Sequence, residues 1–419
     1  MTEKALVDVA VGVVLRADGT VLLGQRLSGK AYYGWWEFPG GKFEAGEEAA
    51  QALARELEEE IGIHVEQSLP WVVREHVYGH AHVRLHFRRV IRWRGEPHSV
   101  EGQALAWRPS HAVDVGPLLP AAIAPIRWLG LPGEYVVSDA AGLGVESWLQ
   151  RLDDWLARQP KTGQPATDPQ HPSGVIGTVG MDGGHGRPSS CLPALPGLLL
   201  LREPTLAGEA FDALFEAVIG RLQGSGVRLL VSSRHPHRYA RRSAEQTGGG
   251  IHLTGADLQA VARAQAGLAP WPPSSLAAEA AASPEQRWAQ AQATARIPGA
   301  VPATGQGRHE PHVSGVEDGS LADACSWRAG YALVAVSCHS AEDLALAGRI
   351  GADFAVSGPV KPTRSHPEAR GCGWDGFGRM LAGTPVPVFA LGGMNRTDLD
   401  RALLCGAQGI AMQRAAWDR

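Results

Sequence analysis

The arrangement of glycine, arginine and glutamate residues between positions 41 and 63 constrains this chain more than any other feature. The segment has one fixed order of residue types: Gly41, five residues, Glu47, seven residues, Arg55-Glu56-Leu57, one residue, Glu59-Glu60, one residue and Gly62-Ile63. Residues 47 to 60 are rich in Ala, Leu and Glu and contain neither Gly nor Pro, which predicts a helix that ends at Gly62. On that helix Glu56, Glu59 and Glu60 stand at positions i, i+3 and i+4, so the three carboxylates share one face.

Carboxylates clustered in this way repel one another unless cations lie among them. Their hard oxygen atoms suit Mg²⁺ or Mn²⁺, which keep several waters and bridge to substrate phosphates. Arg55 lies about two helical turns beyond Glu47 and can pair with it, which would hold the loop Pro39-Gly40-Gly41 against the helix. A solvated acidic helix face is the simpler alternative, but the number of specified positions argues against it. The segment therefore predicts a metal-assisted reaction at a phosphate group.

The same segment is a Nudix box, and residues 8 to 130 resemble the MutT branch of that family, the 8-oxo-dGTP diphosphatases. The resemblance rests on the box and on further motifs: Glu37-Phe38-Pro39-Gly40-Gly41-Lys42, Trp93-x-Gly95-Glu96-Pro97, Glu101-Gly102-Gln103 and Trp107. It implies an α/β/α sandwich that uses Mg²⁺, with Mn²⁺ as a possible substitute, and that releases a nucleoside monophosphate and pyrophosphate after water attacks the β-phosphorus. It also implies roles for individual residues: Glu56, Glu59, Glu60 and Glu101 as metal ligands or base, the Gly40 carbonyl as a further ligand, Arg26, Glu37, Phe38 and Lys42 at the nucleotide, and Gly41, Glu47, Arg55 and Gly62 as structural positions of the box.

One position departs from the MutT pattern. The family places an asparagine in a Pro-Ala-Asn segment, where its amide reads the oxidised guanine edge, whereas this chain has Leu119-Pro120-Ala121-Ala122. Ala122 has no side-chain donor or acceptor, so selectivity for 8-oxoguanine is relaxed or depends on another residue. Hydrolysis of a thiamine-pathway diphosphate therefore stays open as an alternative to removal of oxidised nucleotides from the nucleotide pool.

Length and composition set the wider frame. A chain of 419 residues is long for a single core and suggests two domains, which we place at residues 1 to 132 and 133 to 419. Stretches rich in Pro, Gly, Ser and Ala, at about 159 to 194 and 264 to 327, are typical of disordered insertions. We find no apolar run near the roughly 20 residues that a membrane span needs and no secretory signal, and therefore expect a cytoplasmic protein.

The net charge and the cysteine spacing restrict which partners and which metal or disulfide sites we expect. The net charge of −4 provides no general attraction to a nucleic acid polymer, so the expected partner is a small nucleotide substrate. The five cysteines never occur in C-x-x-C spacing, which favours reduced thiols over disulfides or a zinc site. The sequence makes no prediction of oligomeric state.

Along the chain, short apolar segments typical of strands alternate with segments that have a helical pattern. In the first region we predict a β-hairpin from residues 6 to 16 and 21 to 26, and strands at about 71 to 75, 81 to 92 and 104 to 108. Beyond residue 133, eight short apolar segments, most followed by a helical pattern, predict a (β/α)₈ TIM-type barrel interrupted by the two insertions. They are a strand at 134 to 138 and segments at 198 to 202, 227 to 232, 250 to 253, 331 to 336, 353 to 356, 386 to 391 and 409 to 412.

The second region resembles the thiamine phosphate synthase and TenI family. The residues that carry this resemblance are Leu201-Arg202-Glu203, Ile251-His252-Leu253 with Asp257, Ser337-Cys338-His339-Ser340, Ser357-Gly358-Pro359-Val360, Leu391-Gly392-Gly393-Met394 and Gly406-Ala407-x-Gly409. Most stand at the C-terminal end of a predicted strand, where barrel enzymes hold their chemistry. The candidate barrel site therefore comprises residues from four strand ends: Arg202, Asp257, His339, Gly392 and Gly393.

Several groups that a synthase would use are missing from this region. Leu200 and Pro204 replace the expected Gln and Lys, and Ser232-Ser233 replaces an Asn-Asp pair. We therefore expect the barrel to be catalytically degenerate or to bind a phosphorylated ligand, with a His339-dependent tautomerase as the alternative. We expect the Arg-His-Pro-His-Arg segment around His235 to be an exposed loop, and the helix after the eighth strand to be almost absent.

Overall fold

The computed structural model describes residues 5–16, 18–160, 192–267, 328, 330–363 and 371–418. Most of the two predicted insertions lies outside these ranges. At the edge of the second one, a helix continues to Gln265.

The N-terminal region contains two sheets and two helices. Its elements are β1 (Leu6–Val14), β2 (Thr20–Gln25), β3 (Trp36–Glu37), β4 (Gly40–Lys42), α1 (Ala49–Ile61), β5 (His64–Val77), β6 (His82–Arg94), β7 (Leu105–Pro109) and α2 (Pro120–Trp128). One sheet has the order β4-β1-β6-β5 and the other the order β3-β2-β7. The sequence analysis missed β3, β4 and α2, and β5 begins seven residues earlier than we predicted.

The predicted opening hairpin is only partly correct. β1 and β2 are joined by a single antiparallel bridge between Leu15 and Val21. They then separate, because β1 pairs in parallel with β6 while β2 pairs with β7. The turn was therefore predicted from local residues, whereas the pairing partners are distant in the sequence.

Helix α1 forms as its sequence predicts. The side chain of Gln51 accepts a hydrogen bond from the backbone N–H of Glu48 at 2.9 Å, which places the helix start at Ala49 rather than at residue 47. Gly62 ends the helix in the left-handed conformation with φ of +67°. The buried face of α1 carries Leu53 and Leu57, which pack on β1.

The second region is a closed barrel of eight parallel strands, as predicted. Its strands run in the order β10-β11-β12-β13-β14-β15-β8-β9. They are β8 (Glu134–Val137), β9 (Leu198–Leu201), β10 (Arg228–Ser232), β11 (Gly250–Leu253), β12 (Leu333–Cys338), β13 (Phe354–Ser357), β14 (Val388–Ala390) and β15 (Gly409–Met412). The described helices around it are α3 (Ala140–Leu143), α4 (Val145–Ala157), α5 (Gly208–Leu222), α6 (His237–Thr247), α7 (Gly255–Gln265), α8 (Ala341–Arg349), α9 (Gly373–Leu381), α10 (Leu399–Leu404) and α11 (Arg414–Trp417). The helix after the eighth strand is a single turn, as we expected.

The buried apolar residues divide unequally between the two regions. One cluster lies wholly within the N-terminal region, between α1 and β1, and includes Leu53, Leu57 and Trp93. A much larger cluster contains the barrel interior and also the other side of the N-terminal region, including Phe38, Ala122 and Trp128. The two regions therefore share one continuous core on the side of α2.

Two further sequence expectations concern membrane spans and cysteines. Among the helices of the described ranges, none is long and apolar enough to cross a bilayer. Cys338, Cys372 and Cys405 are free thiols in this part of the chain, while Cys191 and Cys325 lie outside it.

Candidate active site

The glycine loop meets the acidic helix α1 over strand β1. β4 pairs with β1 so that Gly40 lies opposite Val11 and Gly41 opposite Ala10. A Cβ atom on Gly40 would lie 2.1 Å from the carbonyl oxygen of Ala10, and Gly40 also has a φ of +145°. A Cβ atom on Gly41 would lie 2.0 Å from Cδ of Glu56. At Gly40 a side chain would collide with the backbone of β1. At Gly41 the space is taken by the Glu56 carboxylate, which rests on the loop.

Arg55 ties this loop to the helix. Its Nε and Nη2 donate to the two oxygens of Glu47 at 2.8 and 2.9 Å, and Nη2 also donates to the carbonyl oxygen of Lys42 at 2.9 Å. Nη1 donates to Glu56 at 2.9 Å and to Glu59 at 3.3 Å. Hydrogen bonding from Arg55 lowers the pKa of Glu47 to about 2, so this carboxylate stays charged throughout the physiological range. The pair expected between Glu47 and Arg55 is present.

Glu60 lies half-buried beside the same loop. Its Oε2 accepts a hydrogen bond from the N–H of Gly40 at 2.8 Å. Burial raises the pKa of Glu60 to about 7; the Gly40 amide opposes the shift, and the negative charges of Glu37 and Glu101 reinforce it. Lys30 Nζ donates to Glu101 Oε2 at 3.0 Å at the outer edge. Glu60 is therefore a carboxyl group that can take up or release a proton near neutral pH.

The predicted ligands are close to the loop but are not gathered into a ready metal site. Within the described residues, no three His, Cys, Asp or Glu side chains form a group that could hold a metal ion. Glu56 and Glu59 are turned toward Arg55, and Glu101 is turned toward Lys30. The donor set still fits a hard divalent cation, because it consists of carboxylate oxygens around a half-buried glutamate whose pKa is raised by burial and, more weakly, by the charges of Glu37 and Glu101.

Arg26 and Glu37 form an ion pair on the substrate side of the loop. Arg26 Nη1 donates to both oxygens of Glu37, at 2.6 and 2.8 Å. Burial raises the pKa of Glu37, while Arg26 and, more weakly, Lys30 lower it. Of the other two residues predicted at the nucleotide, Phe38 is buried in the shared core and Lys42 is exposed.

An aromatic cluster, which the sequence analysis missed, lies beside this ion pair. Tyr32 contacts Trp35 and Tyr78 edge-on, with ring centroids 5.1 and 5.4 Å apart. Tyr78 also stacks on His80 at 5.5 Å and lies 4.2 Å from His76. These residues come from the loop between β2 and β3, from the end of β5 and from the loop after it, so no spacing rule in the sequence brings them together.

Tyr78 connects the aromatic cluster to the rest of the site. Burial raises the pKa of Tyr78 to about 12, with smaller effects from the Glu37 carboxylate, which raises it, and from Arg26, which lowers it. A hydrogen bond with the backbone of Ala121 lowers it further. Tyr78 is thus close both to the ion pair and to the start of helix α2, where Ala122 is buried.

The structural role of Gln103 was also not indicated by the sequence. It is 5% exposed, and its Nε2 donates to the backbone carbonyl oxygen of Glu60 at 2.8 Å. Ser99 Oγ donates to Gln103 Oε1 at 2.8 Å. Gln103 belongs to the motif that starts at Glu101, and in the structure it fixes the end of α1 that carries Glu60.

The barrel candidates all lie at one end of the barrel. Arg202 follows β9, His339 follows β12, Gly392 and Gly393 follow β14, and Asp257 stands in the first turn of α7 after β11. Because all strands are parallel, these positions share the C-terminal face, as predicted.

At this face Asp257 is hydrogen-bonded to neighbouring barrel residues, and His339 lies at the exposed edge. Asp257 Oδ2 accepts hydrogen bonds from Ser233 Oγ at 2.6 Å, from Thr254 Oγ1 at 2.5 Å and from the N–H of Thr254 at 2.9 Å. Asp257 is therefore used to cap α7. His339 is exposed, and its Nδ1 lies 3.3 Å from the carbonyl oxygen of Gly358.

Two histidines of the barrel are buried. His252 lies between Tyr135 Oη, 3.0 Å from Nδ1, and Ser337 Oγ, 2.9 Å from Nε2. Burial, and then the charge of Arg202, lower the pKa of His252 to about 3. The expectation of an exposed loop around His235 was wrong: His235 is 7% exposed and its ring stacks on a phenylalanine of α5 at 3.7 Å.

Comparison with known proteins agrees with this division of the chain. The family model for the NUDIX domain matches residues 10–127, and the model for thiamine monophosphate synthase matches residues 303–416. The 8-oxo-dGTP diphosphatase of Haemophilus influenzae is 40% identical over 119 residues, which cover 28% of this chain and 88% of that protein. The CTP pyrophosphohydrolase of Escherichia coli (strain K12) is 38% identical over 120 residues, 27% of this chain and 84% of that protein.

The barrel matches its relatives over a shorter length. The thiamine-phosphate synthase of Pyrococcus furiosus is 32% identical over 80 residues, 19% of this chain and 39% of that protein. The N-terminal match covers 88% of the Haemophilus influenzae protein at 40% identity, which settles the family of this region. This chain belongs to the Nudix hydrolases of the MutT type, enzymes that cleave phosphoric anhydrides, with a thiamine phosphate synthase-like barrel fused to the hydrolase.

Proposed function

We propose that the N-terminal region hydrolyses 8-oxo-dGTP to its monophosphate and pyrophosphate and so removes oxidised nucleotides from the precursor pool. The observation that carries the proposal is the glycine loop held against α1, with Glu56 on Gly41 and Glu60 bonded to Gly40. The similarity of this region to 8-oxo-dGTP diphosphatases supports the substrate class. We keep residues 1 to 132 as the proposed hydrolase domain and the cytoplasm as its proposed location.

The residues that would hold Mg²⁺ are the clustered carboxylates and the loop: Glu56, Glu59, Glu60, Glu101 and the Gly40 carbonyl. When bound, the ion would supply charge neutralisation at the phosphates and a more acidic water. Arg55 holds the carboxylates of Glu56 and Glu59 in place until a cation competes for them. Glu60, which accepts a hydrogen bond from the N–H of Gly40, is the carboxylate that we propose to act as the base toward the attacking water.

Binding of the nucleoside would use the other side of the loop. The Arg26 guanidinium is positioned by Glu37, and its charge suits a phosphate or a sugar hydroxyl. Tyr32 and Tyr78 offer ring faces and edges on which a base could stack. Neither Ala122 nor these rings provides the amide that would read the oxidised guanine edge.

For the barrel we propose a non-catalytic role. Asp257 is occupied in capping α7, and Ser233 donates to it instead of supplying an acidic group. His339 is exposed on the rim, and among the described residues its ring nitrogen Nδ1 meets the carbonyl oxygen of Gly358 rather than a carboxylate. A tautomerase that uses His339 is the alternative, and turnover of thiazole phosphate would establish it.

The test compares substrates on the full chain at limiting concentration. We would measure Mg²⁺-dependent pyrophosphate or phosphate release from 8-oxo-dGTP, dGTP, CTP and hydroxymethylpyrimidine diphosphate, each with and without EDTA. A clear preference for 8-oxo-dGTP that EDTA abolishes is the expected result. Preference for the pyrimidine diphosphate would replace the proposal with the thiamine-pathway alternative, which the fusion and Ala122 favour.

A variant pair on α1 tests the site itself. Glu59→Gln and Glu60→Gln should each abolish hydrolysis while the fold is retained, and Glu58→Gln is the matched control because Glu58 points away from the loop toward His64, 3.9 Å distant. Wild-type turnover in either of the first two variants would remove the assigned residue from the mechanism.

A further inference from the structure

Within the described ranges, the hydrogen bonds between the barrel and the N-terminal region lie at the end of the barrel opposite to its candidate site. Gln408 lies in the turn before β15, and Thr384 lies before β14, both at the N-terminal ends of their strands. The N–H of Val73, in β5, donates to the carbonyl oxygen of Thr384 at 2.8 Å. The face of the barrel at the N-terminal ends of its strands is thus the one that bonds to the hydrolase in the part of the chain that the structure describes.

Gln408 is the centre of a buried polar junction. It is 1% exposed, and its Oε1 accepts from Trp71 Nε1 at 3.1 Å and from Arg89 Nη2. Its Nε2 donates to the carbonyl oxygen of Leu131 at 3.0 Å. Arg89 is itself 2% exposed, with its guanidinium 4.6 Å from the centre of the Trp71 ring. One barrel amide therefore satisfies groups from β5, from β6 and from the segment after α2.

Helix α2 is fixed at its C-terminal end by two further barrel residues. Arg228 Nη2 donates to the carbonyl oxygen of Gly130 at 2.7 Å, which places a cation at the C-terminal end of the helix. Arg127 Nη2 lies 3.3 Å from Oδ1 of Asp353, a barrel carboxylate that is 4% exposed. Trp128, the last residue of α2, packs edge-on against Trp71 at 6.2 Å.

The N-terminal end of the same helix forms a wall of the candidate nucleoside site. Tyr78 is buried in the same core cluster as Ala122, with Ala121 packed against it, and it lies near Glu37 and Arg26. Tyr78 follows directly after β5, the strand that carries Trp71 and Val73. Both elements that hold Tyr78 are therefore anchored on the barrel, whereas α1 rests on a cluster that contains no barrel residue.

We propose that the barrel acts as a positioning element for nucleotide binding: its Gln408 and Arg228 hold β5 and α2 so that the wall at Tyr78 and Ala121 is preformed for a nucleoside triphosphate. The inference rests on the proposed function for the identity of the substrate. A preformed wall lowers the ordering cost of binding. The barrel contributes in this way without taking part in the chemistry at Glu60.

Gln408→Leu removes the shared hydrogen-bond partner of Trp71 and Arg89. We expect its KM for the nucleotide to rise roughly fivefold or more, the effect of losing about one hydrogen bond, with kcat within about twofold of wild type. Gln413→Leu is the matched control, because Gln413 stands at the other end of β15 and donates at 3.3 Å to the carbonyl oxygen of Ser138 within the barrel. Its KM should equal that of wild type.

Arg127→Gln is a second variant that tests the same inference if Gln408→Leu does not fold. Its side chain is 57% exposed, so the fold should survive, and KM should rise in the same direction by a smaller factor. Arg221→Gln is its control, since Arg221 forms an exposed pair with Asp153 at 3.0 Å inside the barrel region.

Hydrogen exchange provides a readout that does not depend on turnover. Backbone amides of α2 (Pro120–Trp128) should exchange faster in Gln408→Leu or Arg127→Gln than in wild type, while those of α1 (Ala49–Ile61) should not change. Unchanged exchange in α2, or an unchanged KM in both variants, would overturn the inference. Absence of nucleotide hydrolysis by wild type with faster exchange in α2 would instead overturn the proposed substrate and leave the mechanical coupling intact.

Discussion

Alanine substitutions at Gly40 and at Gly41, made one at a time, should separate an effect on stability from an effect on activity. At Gly40 the added Cβ would meet the carbonyl oxygen of Ala10 at 2.1 Å, and the φ of +145° is unfavourable for alanine. The backbone of β1 would have to move, so Gly40→Ala should lower the free energy of unfolding by at least about 2 kcal/mol. At Gly41 the Cβ would meet only the carboxyl end of Glu56, at 2.0 Å, and that side chain can rotate away. Gly41→Ala should cost less than about 1 kcal/mol.

The activities should follow a different order from the stabilities. Displacing Glu56 in Gly41→Ala removes a predicted ligand from its place on the loop, which should reduce kcat/KM by roughly 10- to 100-fold even in a fully folded protein. Thermal unfolding followed by fluorescence should show Gly40→Ala melting roughly 4 °C or more below wild type, and Gly41→Ala close to wild type. Two results would refute the reasoning: equal melting losses in both variants, or wild-type turnover in Gly41→Ala.

Three other predictions concern Glu60 in helix α1, recognition of the nucleobase at Ala122, and the buried His252 of the barrel. Glu60→Gln should lose hydrolysis and keep its melting temperature, with Glu58→Gln unchanged in both, and retained hydrolysis would show that Glu60 is dispensable. Ala122→Asn should raise the preference for 8-oxo-dGTP over dGTP about tenfold or more, whereas the exposed Ile123→Asn should not; no change in the ratio would place base selection elsewhere. His252 binds a proton in the unfolded chain below pH 6.5 but in the folded chain only near pH 3, so the free energy of unfolding falls as the pH drops through this window; His252→Gln should show a shallower fall in melting temperature between pH 6.5 and 4.5, and parallel curves would contradict the buried neutral histidine.

The features that could be predicted from the sequence are those set by local spacing. The acidic helix, its end at Gly62 and the pair between Arg55 and Glu47 each depend on residues less than about three turns apart. The barrel was predictable because each of its short apolar strands recurs with a helix after it, and a parallel sheet of such units closes in few ways. The buried position of His235 was missed because a histidine between an arginine and a proline has the composition of a loop, while a phenylalanine from α5 covers it in the structure.

The parts of the site that could not be predicted depend on contacts distant in sequence. Lys30 and Glu101 come together across the molecule, and the aromatic rings of Tyr32 and Tyr78 meet although they belong to different loops. The sequence also predicted gathered carboxylates, whereas Arg55 and Lys30 occupy three of the four. Competition between a neighbouring cation and a divalent ion depends on side-chain orientation, which no spacing pattern encodes.

The location of the junction agrees with the non-catalytic role proposed for the barrel. The C-terminal face of a barrel holds chemistry, while the N-terminal face contributes mainly to stability. Here Ser233 donates to Asp257 at the first face, while Gln408 and Arg228 bond to the hydrolase at the second face. Removal of Gln408 would leave Trp71 and Arg89 without their buried acceptor, and such unsatisfied groups cost about 1–3 kcal/mol each. On the proposed positioning role, the chain retains the barrel because the barrel supports the hydrolase, and this role needs no substrate in the barrel.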